Sequence, residues 1–193
     1  MSATVRAFPD ISAIILCGGK ASRMAGEDKG LVVYRRKPLV QHVIERITPQ
    51  VDDIVISANR NLDLYRDFSS RVISDTHDGY AGPLAGIASC LSYCKHDRVL
   101  VVACDMPLLP ENLVDRLMPA LVTSQIAIAC CQQHPQLAFI LRRELLDSLT
   151  DSLQLGDFRL MQWIERHDPG QVQFEDCDAF TNINSRDDLS RLS

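Results

Sequence analysis

The sequence predicts an α/β fold with a mostly parallel central sheet. Short apolar runs alternate with amphipathic segments, and polar or glycine-bearing loops follow several of the runs. This alternation is typical of parallel sheets, whose strands are apolar throughout because helices cover both faces. Such sheets bind ligands beyond the carboxyl ends of their strands, so the loops at those ends are the candidate sites.

The amino-terminal half opens with the run SAIILC at residues 12–17, which ends at two glycines as a buried parallel strand does. Pro38 opens a helix, because proline is tolerated in a first turn, and apolar residues recur along one helix face from 39 to 47. The other segments predicted here are a loop at 18–30, a strand or turn at 31–34, strands at 53–58 and 71–75, and a helix at 82–95.

In the carboxyl-terminal half the clearest strand is RVLVVACD at residues 98–105. Pro110 opens a helix that reaches Leu117 or beyond. A turn at His134 and Pro135 is predicted to join two further strands. The remaining predicted segments are strands at 126–131, 137–142 and 171–174, and helices at 143–153, 158–166 and 187–192.

Length and composition place the chain among globular proteins. Its 193 residues are 46% apolar, which suits one core and excludes a disordered chain. No apolar run approaches the roughly 18 residues of a membrane-spanning helix, and the first residues lack a secretory signal. We therefore expect a cytoplasmic protein without membrane contact. It forms one domain over residues 1–193, with a flexible N-terminus at 1–10.

The net charge and the cysteine content restrict the possible classes of ligand and the compartment of the protein. The net charge of −5 argues against a nucleic-acid-binding protein, although a nucleotide site needs only local positive charge. The seven cysteines include no C-x-x-C motif. Four of them lie in apolar runs, so buried free thiols in a reducing compartment are expected. These four are Cys17, Cys104, Cys130 and Cys131.

The loop after the first strand is the strongest candidate for a phosphate site. Gly18 and Gly19 let backbone N–H groups approach a phosphate without obstruction. Lys20, Arg23 and Lys29 add three positive charges within ten residues. The loop matches neither the P-loop nor G-x-G-x-x-G. The alternative is a tight turn with solvated basic side chains.

Two carboxylates follow predicted strands. Asp105 ends the apolar run at 98–105, where a carboxylate suits Mg²⁺ held jointly with substrate phosphates. Its alternative role is to cap the next helix or turn. Asp75 ends the run at 71–75, and it either touches a nucleotide or begins a turn.

Weaker candidates for ligand-binding residues lie outside the phosphate loop and the two strand-end carboxylates. Gly82 and Gly86 allow either close approach of a base or close helix packing. Asn182 and Asn184 point to one side of an extended segment, where they bind a polar ligand or form a turn. Arg159 is a candidate for the same pocket.

Taken together, these motifs resemble those of a known enzyme family. The pattern Leu16-Cys17-Gly18-Gly19-x-x-Ser22-Arg23-Met24-x-x-x-Asp28-Lys29 resembles the nucleotide-binding signature of small nucleotidyltransferases, and most of all that of the MobA-like molybdenum cofactor guanylyltransferases. The likeness covers nearly the whole chain from Ile11 onward. It continues in the family's order through Lys37-Pro38-Leu39, Ser57-Ala58-Asn59-Arg60, Asp75, Gly82-Pro83-Leu84-Ala85-Gly86, Cys104-Asp105-Met106-Pro107, His134-Pro135 and Asn182-Ile183-Asn184.

The resemblance implies a Rossmann-like three-layer α/β/α nucleotidyltransferase fold and the transfer of GMP from GTP to the phosphate of molybdopterin or molybdenum-molybdopterin. It implies Lys29, Asp105 and Arg23 as catalytic residues, with Mg²⁺ at Asp105. Other cofactor-biosynthesis proteins and acceptor apo-enzymes are implied partners. The residues implied to bind GTP are Leu16, Cys17, Gly18, Gly19, Lys29, Ser57, Asp75 and Asp105. Those implied on the molybdopterin side are Arg159, Asn182 and Asn184.

The sequence departs from the family at three points. Cys17 replaces an alanine, Ala25 precedes Gly26 where two glycines are usual, and Ser57 replaces the asparagine of some members, so its nucleotide contact stays open. Two alternative functions remain. A molybdopterin cytidylyltransferase usually carries Ala-Ala-Gly in this loop, and a non-catalytic nucleotide-binding module could dispense with Asp105.

Overall fold

The computed structural model describes residues 10–18, 28–76, 82–183 and 188. Nine strands and six α-helices lie within these residues. The strands are β1 (Ile11–Leu16), β2 (Val33–Tyr34), β3 (Lys37–Pro38), β4 (Asp53–Ser57), β5 (Val72–Ile73), β6 (Arg98–Ala103), β7 (Ile126–Cys131), β8 (His134–Arg142) and β9 (Gly170–Phe174). The helices are α1 (Leu39–Ile47), α2 (Leu62–Arg66), α3 (Gly82–Leu91), α4 (Leu113–Leu117), α5 (Leu146–Gln154) and α6 (Leu160–Glu165).

Seven strands form one sheet in the order β5-β4-β1-β6-β8-β7-β9, and β2 pairs with β3 in a separate hairpin. Only β8 runs against its neighbours, since it is antiparallel to both β6 and β7. The other pairs, β1 with β4 and β6, β4 with β5, and β7 with β9, are parallel. The predicted mostly parallel sheet is confirmed.

Helices cover both faces of the sheet, and β1 shows why. Ile11, Ala13 and Ile15 pack into the core beneath α1 and α4. Ile14 and Leu16 point the other way, into the core shared with α3, α5 and α6. Because successive side chains of a strand face opposite sides, a strand buried twice must be apolar at every position. The three-layer α/β/α fold is therefore confirmed.

Several element boundaries differ from the predicted ones. β5 contains two residues, because it is an edge strand that pairs only with β4. The helix predicted at 82–95 ends at Leu91, and the helix predicted from Pro110 begins at Leu113. Helix α2 was not predicted. The helix predicted at 187–192 lies outside the described residues except for Asp188, which is helical.

The turn predicted at His134 and Pro135 is wrong. The β7–β8 hairpin turns instead at Gln132 and Gln133, which have φ values of 49° and 66°. A two-residue hairpin loop of type I′ needs positive φ at both positions, whereas proline is fixed near −65°. Pro135 lies in β8 beside a register shift of the β7–β8 pair, where a strand tolerates proline.

The expectation of free thiols is wrong for Cys131, which forms a disulfide with Cys177. The two Cα atoms are 5.6 Å apart, although 46 positions separate them in sequence. The parallel pairing of β7 with β9 aligns Cys131 with Phe174 and so brings the following loop close. Cys17, Cys104 and Cys130 are free and buried, as expected, and Cys90 and Cys94 are free and buried as well. No described helix is long and apolar enough to span a membrane.

Candidate active site

The carboxyl ends of β1, β4 and β6 lie side by side at one edge of the sheet. Leu16, at the end of β1, is in register with Ser57 and with the last residue of β6. The Cys17 N–H donates to the Ser57 carbonyl over 2.8 Å, and the Cys104 N–H donates to the Leu16 carbonyl over 3.1 Å. The loops that follow β1 and β6, including Asp105, therefore leave the sheet as neighbours.

Lys29 and Asp105 form an ion pair at this edge. Lys29 Nζ lies 2.5 Å from Asp105 Oδ2, and the two side chains are 34% and 11% exposed. The other carboxylate oxygen, Asp105 Oδ1, is buried and has no hydrogen-bond partner among the residues that the structure describes. A buried carboxylate oxygen without a donor is costly, so this atom suits a positively charged group that arrives with a substrate.

Asp28 holds the Lys29 segment in place. The Tyr65 hydroxyl donates to Asp28 Oδ1 over 2.5 Å, and the Asn61 amide donates to Asp28 Oδ2 over 3.0 Å. Arg60 Nε lies 3.8 Å from the same oxygen. Asp28 is buried, so these three partners compensate its charge and fix the backbone that carries Lys29.

The side chains of Tyr65, Cys17 and Cys104 pack together next to this segment. A side chain at Gly30 would collide with the Tyr65 hydroxyl. Burial raises the pKa of the Cys17 thiol well above its ordinary value, and Cys104 adds to the increase. Burial also raises the pKa of Tyr65, with further increases from Cys17, Cys104 and Asp28. The Cys17 thiol and the Tyr65 hydroxyl therefore stay protonated near neutral pH and serve as packing.

Asp75 is the second carboxylate at this edge, and Asn59 fixes its orientation. The Asn59 amide donates to Asp75 Oδ2 over 2.7 Å, and the Asp75 backbone N–H donates to Asn59 Oδ1 over 2.8 Å. Asp75 Oδ1 is buried and, within the described ranges, lacks a hydrogen-bond partner. Asp75 and Asp105 therefore each have one buried carboxylate oxygen that no described donor satisfies.

Helix α3 approaches the sheet so closely that Gly86 has no room for a side chain. A Cβ there would lie 2.5 Å from Ser57 Oγ and 3.4 Å from both Asp75 Oδ1 and Leu16 Cδ2. Ser57 is buried and lies near the Cys90 thiol, whose pKa burial raises and Ser57 lowers. The Ser57 side chain thus faces α3, and its contact with a nucleotide stays a prediction.

Gly18, unlike Gly86, is not crowded by neighbouring side chains. A Cβ on it would find Asn59 Nδ2 at 3.6 Å, which is an ordinary contact. The described packing therefore leaves room for a side chain at Gly18, and its absence leaves space for a ligand at the end of β1.

Asn182 lies close to Asp105 in the structure. The Ile183 N–H donates to the Asp105 carbonyl over 2.9 Å, so the exposed Asn182 neighbours the Asp105 segment. Arg159 precedes α6 and pairs with Asp157 over 2.9 Å. The Arg159 guanidinium lowers the pKa of Asp157 to about 2. The predicted site residues outside the described part of the chain are Gly19, Arg23 and Asn184.

Comparison with known proteins identifies the family. The sequence matches the MobA-like NTP transferase domain over residues 13–171. The chain belongs to this family. A relative from Shewanella sp. strain MR-4, named molybdenum cofactor guanylyltransferase, is 41% identical over 187 residues, which is 95% of each chain.

Solved structures share the fold of this MobA-like chain. The molybdopterin-guanine dinucleotide biosynthesis protein A of Archaeoglobus fulgidus superposes with a TM-score of 0.73 at 24% identity, over 93% of this chain and 95% of that one. A Mycobacterium tuberculosis protein crystallised with manganese gives a TM-score of 0.72 at 12% identity, over 95% and 97%. At these identities the likeness establishes the fold alone.

The residues of this MobA-like domain fit a divalent cation at Asp105. Mg²⁺ takes oxygen ligands and is commonly held by one or two carboxylates together with substrate phosphates. Asp105 Oδ1, which is buried and has no hydrogen-bond partner in the part of the chain that the structure describes, is such an oxygen. The described residues contain no cluster of three or more acidic, histidine or cysteine side chains that could hold a metal alone. Asp105 would share the cation with substrate phosphates.

Sequence reasoning left out three residues that shape this MobA-like site. Tyr65 and Asn61 hold Asp28, and Asn59 holds Asp75. The sequence offered one signal, since Asn59 and Asn61 lie just beyond a predicted strand in the polar run ANRN. Tyr65 gave no signal, because the helix that carries it was not predicted.

Proposed function

We propose that the chain transfers GMP from GTP to the terminal phosphate of molybdopterin and releases pyrophosphate. Its product is the guanine dinucleotide form of the molybdenum cofactor. The observation that carries the proposal is the Lys29–Asp105 ion pair at the carboxyl edge of the sheet. It occurs in a chain 41% identical to a molybdenum cofactor guanylyltransferase.

The chemistry needs no general base. The attacking group is a phosphate monoester with a second pKa of about 6, so it is already an oxyanion at neutral pH. The task of the protein is to position two polyanions and to offset their repulsion. A site with cations and backbone donors suits this task.

Lys29 and Asp105 would have separate electrostatic roles at the phosphate end of the nucleotide. In the described structure Lys29 neutralises Asp105, and the same ammonium is within reach of a triphosphate that enters beside it. A Mg²⁺ ion held by Asp105 would neutralise phosphate oxygens and stabilise the leaving pyrophosphate. Arg23 would add a further positive charge to the triphosphate.

The remaining predicted residues divide between the two substrates. The end of β1 would carry the GTP phosphates on the backbone of residues 16–19, with Ser57 and Asp75 towards the nucleoside. Asn182, Asn184 and Arg159 would bind molybdopterin, and the Ile183–Asp105 hydrogen bond supports the first of these assignments. Acceptor apo-enzymes and other cofactor-biosynthesis proteins would receive the product.

We also propose that the protein works in the cytoplasm. Five of its seven cysteines are free thiols, as expected in a reducing compartment.

The test is to incubate the protein with molybdopterin, labelled GTP and Mg²⁺ and to identify the product by mass. The expected product is molybdopterin guanine dinucleotide, with no product from Asp105→Asn. The matched control is Asp115→Asn, which changes an exposed aspartate of α4 and should keep full activity. A product from CTP but not GTP would overturn the assignment in favour of cytidylyl transfer. Nucleotide binding without any product would overturn it in favour of a binding module.

A further inference from the structure

We propose that Asn59 is a positioning residue for nucleotide recognition. It orients Asp75 so that one carboxylate oxygen accepts a hydrogen bond from the nucleoside, and the guanine edge is the favoured donor. The inference rests on the proposed nucleotide site and extends it to a residue outside the phosphate loop.

Asn59 contacts Asp75 twice, since its amide donates to Oδ2 over 2.7 Å and its carbonyl accepts the Asp75 N–H over 2.8 Å. This two-point contact fixes both the backbone and the carboxylate plane of Asp75. It also provides Oδ2 with a donor, whereas the buried Oδ1 has none in the described part of the chain.

Helix α3 lies beside Asp75. A Cβ on Gly86 would lie 3.4 Å from Asp75 Oδ1, which is an ordinary contact. The carboxylate is therefore oriented by Asn59 and flanked by α3. A ligand meets an acceptor whose direction is already set, which reduces the ordering cost of binding.

The two carboxylates differ in their partners. Asp105 is paired with the cation Lys29, whereas the partner of Asp75 among the described residues is the neutral amide of Asn59. A carboxylate that is not paired with a cation would repel a triphosphate. Asp75 therefore suits the uncharged end of the nucleotide, where hydrogen-bond donors lie.

Guanine offers the richest set of donors there, because its Watson–Crick edge presents N1–H and the 2-amino group. A ribose hydroxyl is the other donor of a nucleoside, and carboxylates at strand ends bind such hydroxyls in dinucleotide-binding folds. Both sources share one chemistry, a neutral donor to Asp75 Oδ1. Nucleotide analogues separate them, since ITP lacks the 2-amino group and 2′-deoxyGTP lacks one hydroxyl.

The experiment measures dissociation constants of GTP, ITP and 2′-deoxyGTP with Mg²⁺ by calorimetry. We expect the wild-type protein to prefer GTP over ITP by about tenfold, the value of one hydrogen bond to a charged group. Asn59→Ala should reduce this ratio towards one. Asn112→Ala is the matched control, because Asn112 is exposed, caps α4 without a side-chain hydrogen bond, and should keep the ratio.

Asn59→Asp gives a second readout that a purely structural role would not move. It keeps the size of the side chain but places a carboxylate against Asp75 in place of the amide donor. Near pH 8 the GTP/ITP ratio should fall to that of Asn59→Ala. Below about pH 5 it should recover, because a proton shared between two close carboxylates replaces the amide hydrogen.

Two outcomes support the proposal and two overturn it. If the Asn59 variants lose the preference for GTP over ITP, Asp75 binds the base. If they lose the preference for GTP over 2′-deoxyGTP, Asp75 binds the ribose. Unchanged ratios in both Asn59 variants would overturn it. Additive losses when Asn59→Ala is combined with Asp75→Asn would also overturn it, because residues that act through one another do not add. Binding assays keep this test separate from the proposed transfer reaction, which fails only when no molybdopterin product forms.

Discussion

Lys29 Nζ lies 2.5 Å from Asp105 Oδ2, although 76 positions separate the two residues in sequence. The pair joins the loop after β1 to the loop after β6, and Asp28 fixes the first of these loops from below. The cation and the carboxylate that we propose to act at the same phosphate group are thus held together by their own attraction.

Lys29→Met should weaken GTP binding while leaving the fold intact. A charge-assisted hydrogen bond to a phosphate contributes about 1.5–3 kcal/mol, so the dissociation constant should rise by about 10- to 100-fold. Titration calorimetry with GTP and Mg²⁺ measures this change. Lys37→Met is the control, because it removes a lysine whose ion pair with Glu45 lies away from the loop ends of β1 and β6. Equal affinities for both variants would contradict the role of Lys29.

The two glycines near the nucleotide site should respond differently to alanine. Gly18→Ala should keep the unfolding free energy and weaken GTP binding, because its Cβ makes only an ordinary contact with Asn59. Gly86→Ala should lower stability, because overpacking costs about 1–3 kcal/mol against a helix-propensity gain of about 1 kcal/mol. Urea unfolding and calorimetry separate the two effects. A stable Gly86→Ala variant would show that Ser57 yields more easily than the packing implies.

Cys177→Ser should lower the free energy of unfolding by about 2–4 kcal/mol, because a disulfide that closes a loop of this length restricts the unfolded chain. Denaturant unfolding with and without a reductant measures the effect. The reductant should destabilise the wild-type protein and leave the variant unchanged. Identical wild-type curves in both conditions would show that the Cys131–Cys177 bond contributes nothing.

Stability should fall as the pH rises above about 9. Burial raises the pKa of Cys90 and of Cys94 from an ordinary value of 9.0 to about 12. Between these values the unfolded chain releases thiol protons that the folded chain retains, so stability present below pH 9 is lost towards pH 12. Urea midpoints at pH 8, 9.5 and 11 measure the trend. A Cys90→Ala/Cys94→Ala variant should show a shallower fall, and a fall as steep as that of the wild type would exclude these thiols as a cause.

Features that follow from a local sequence pattern could be predicted from the sequence. The double burial of β1 is visible in its unbroken apolar run, and Asp105 is marked by its place after β6. Contacts between distant segments were not visible. Nothing local indicates that Tyr65 reaches Asp28 or that Cys177 reaches Cys131, because both depend on which strands become neighbours. The hairpin at Gln132 and Gln133 was missed for another reason, since glutamine carries none of the turn preference of asparagine or glycine.

The Ile183–Asp105 backbone hydrogen bond ties the Asn182 segment to the Asp105 segment. The Asn182 segment is held on one side by the Cys131–Cys177 disulfide and on the other by the Asp105 carbonyl. We therefore expect a ligand that displaces Asn182 to shift the backbone of Asp105 as well.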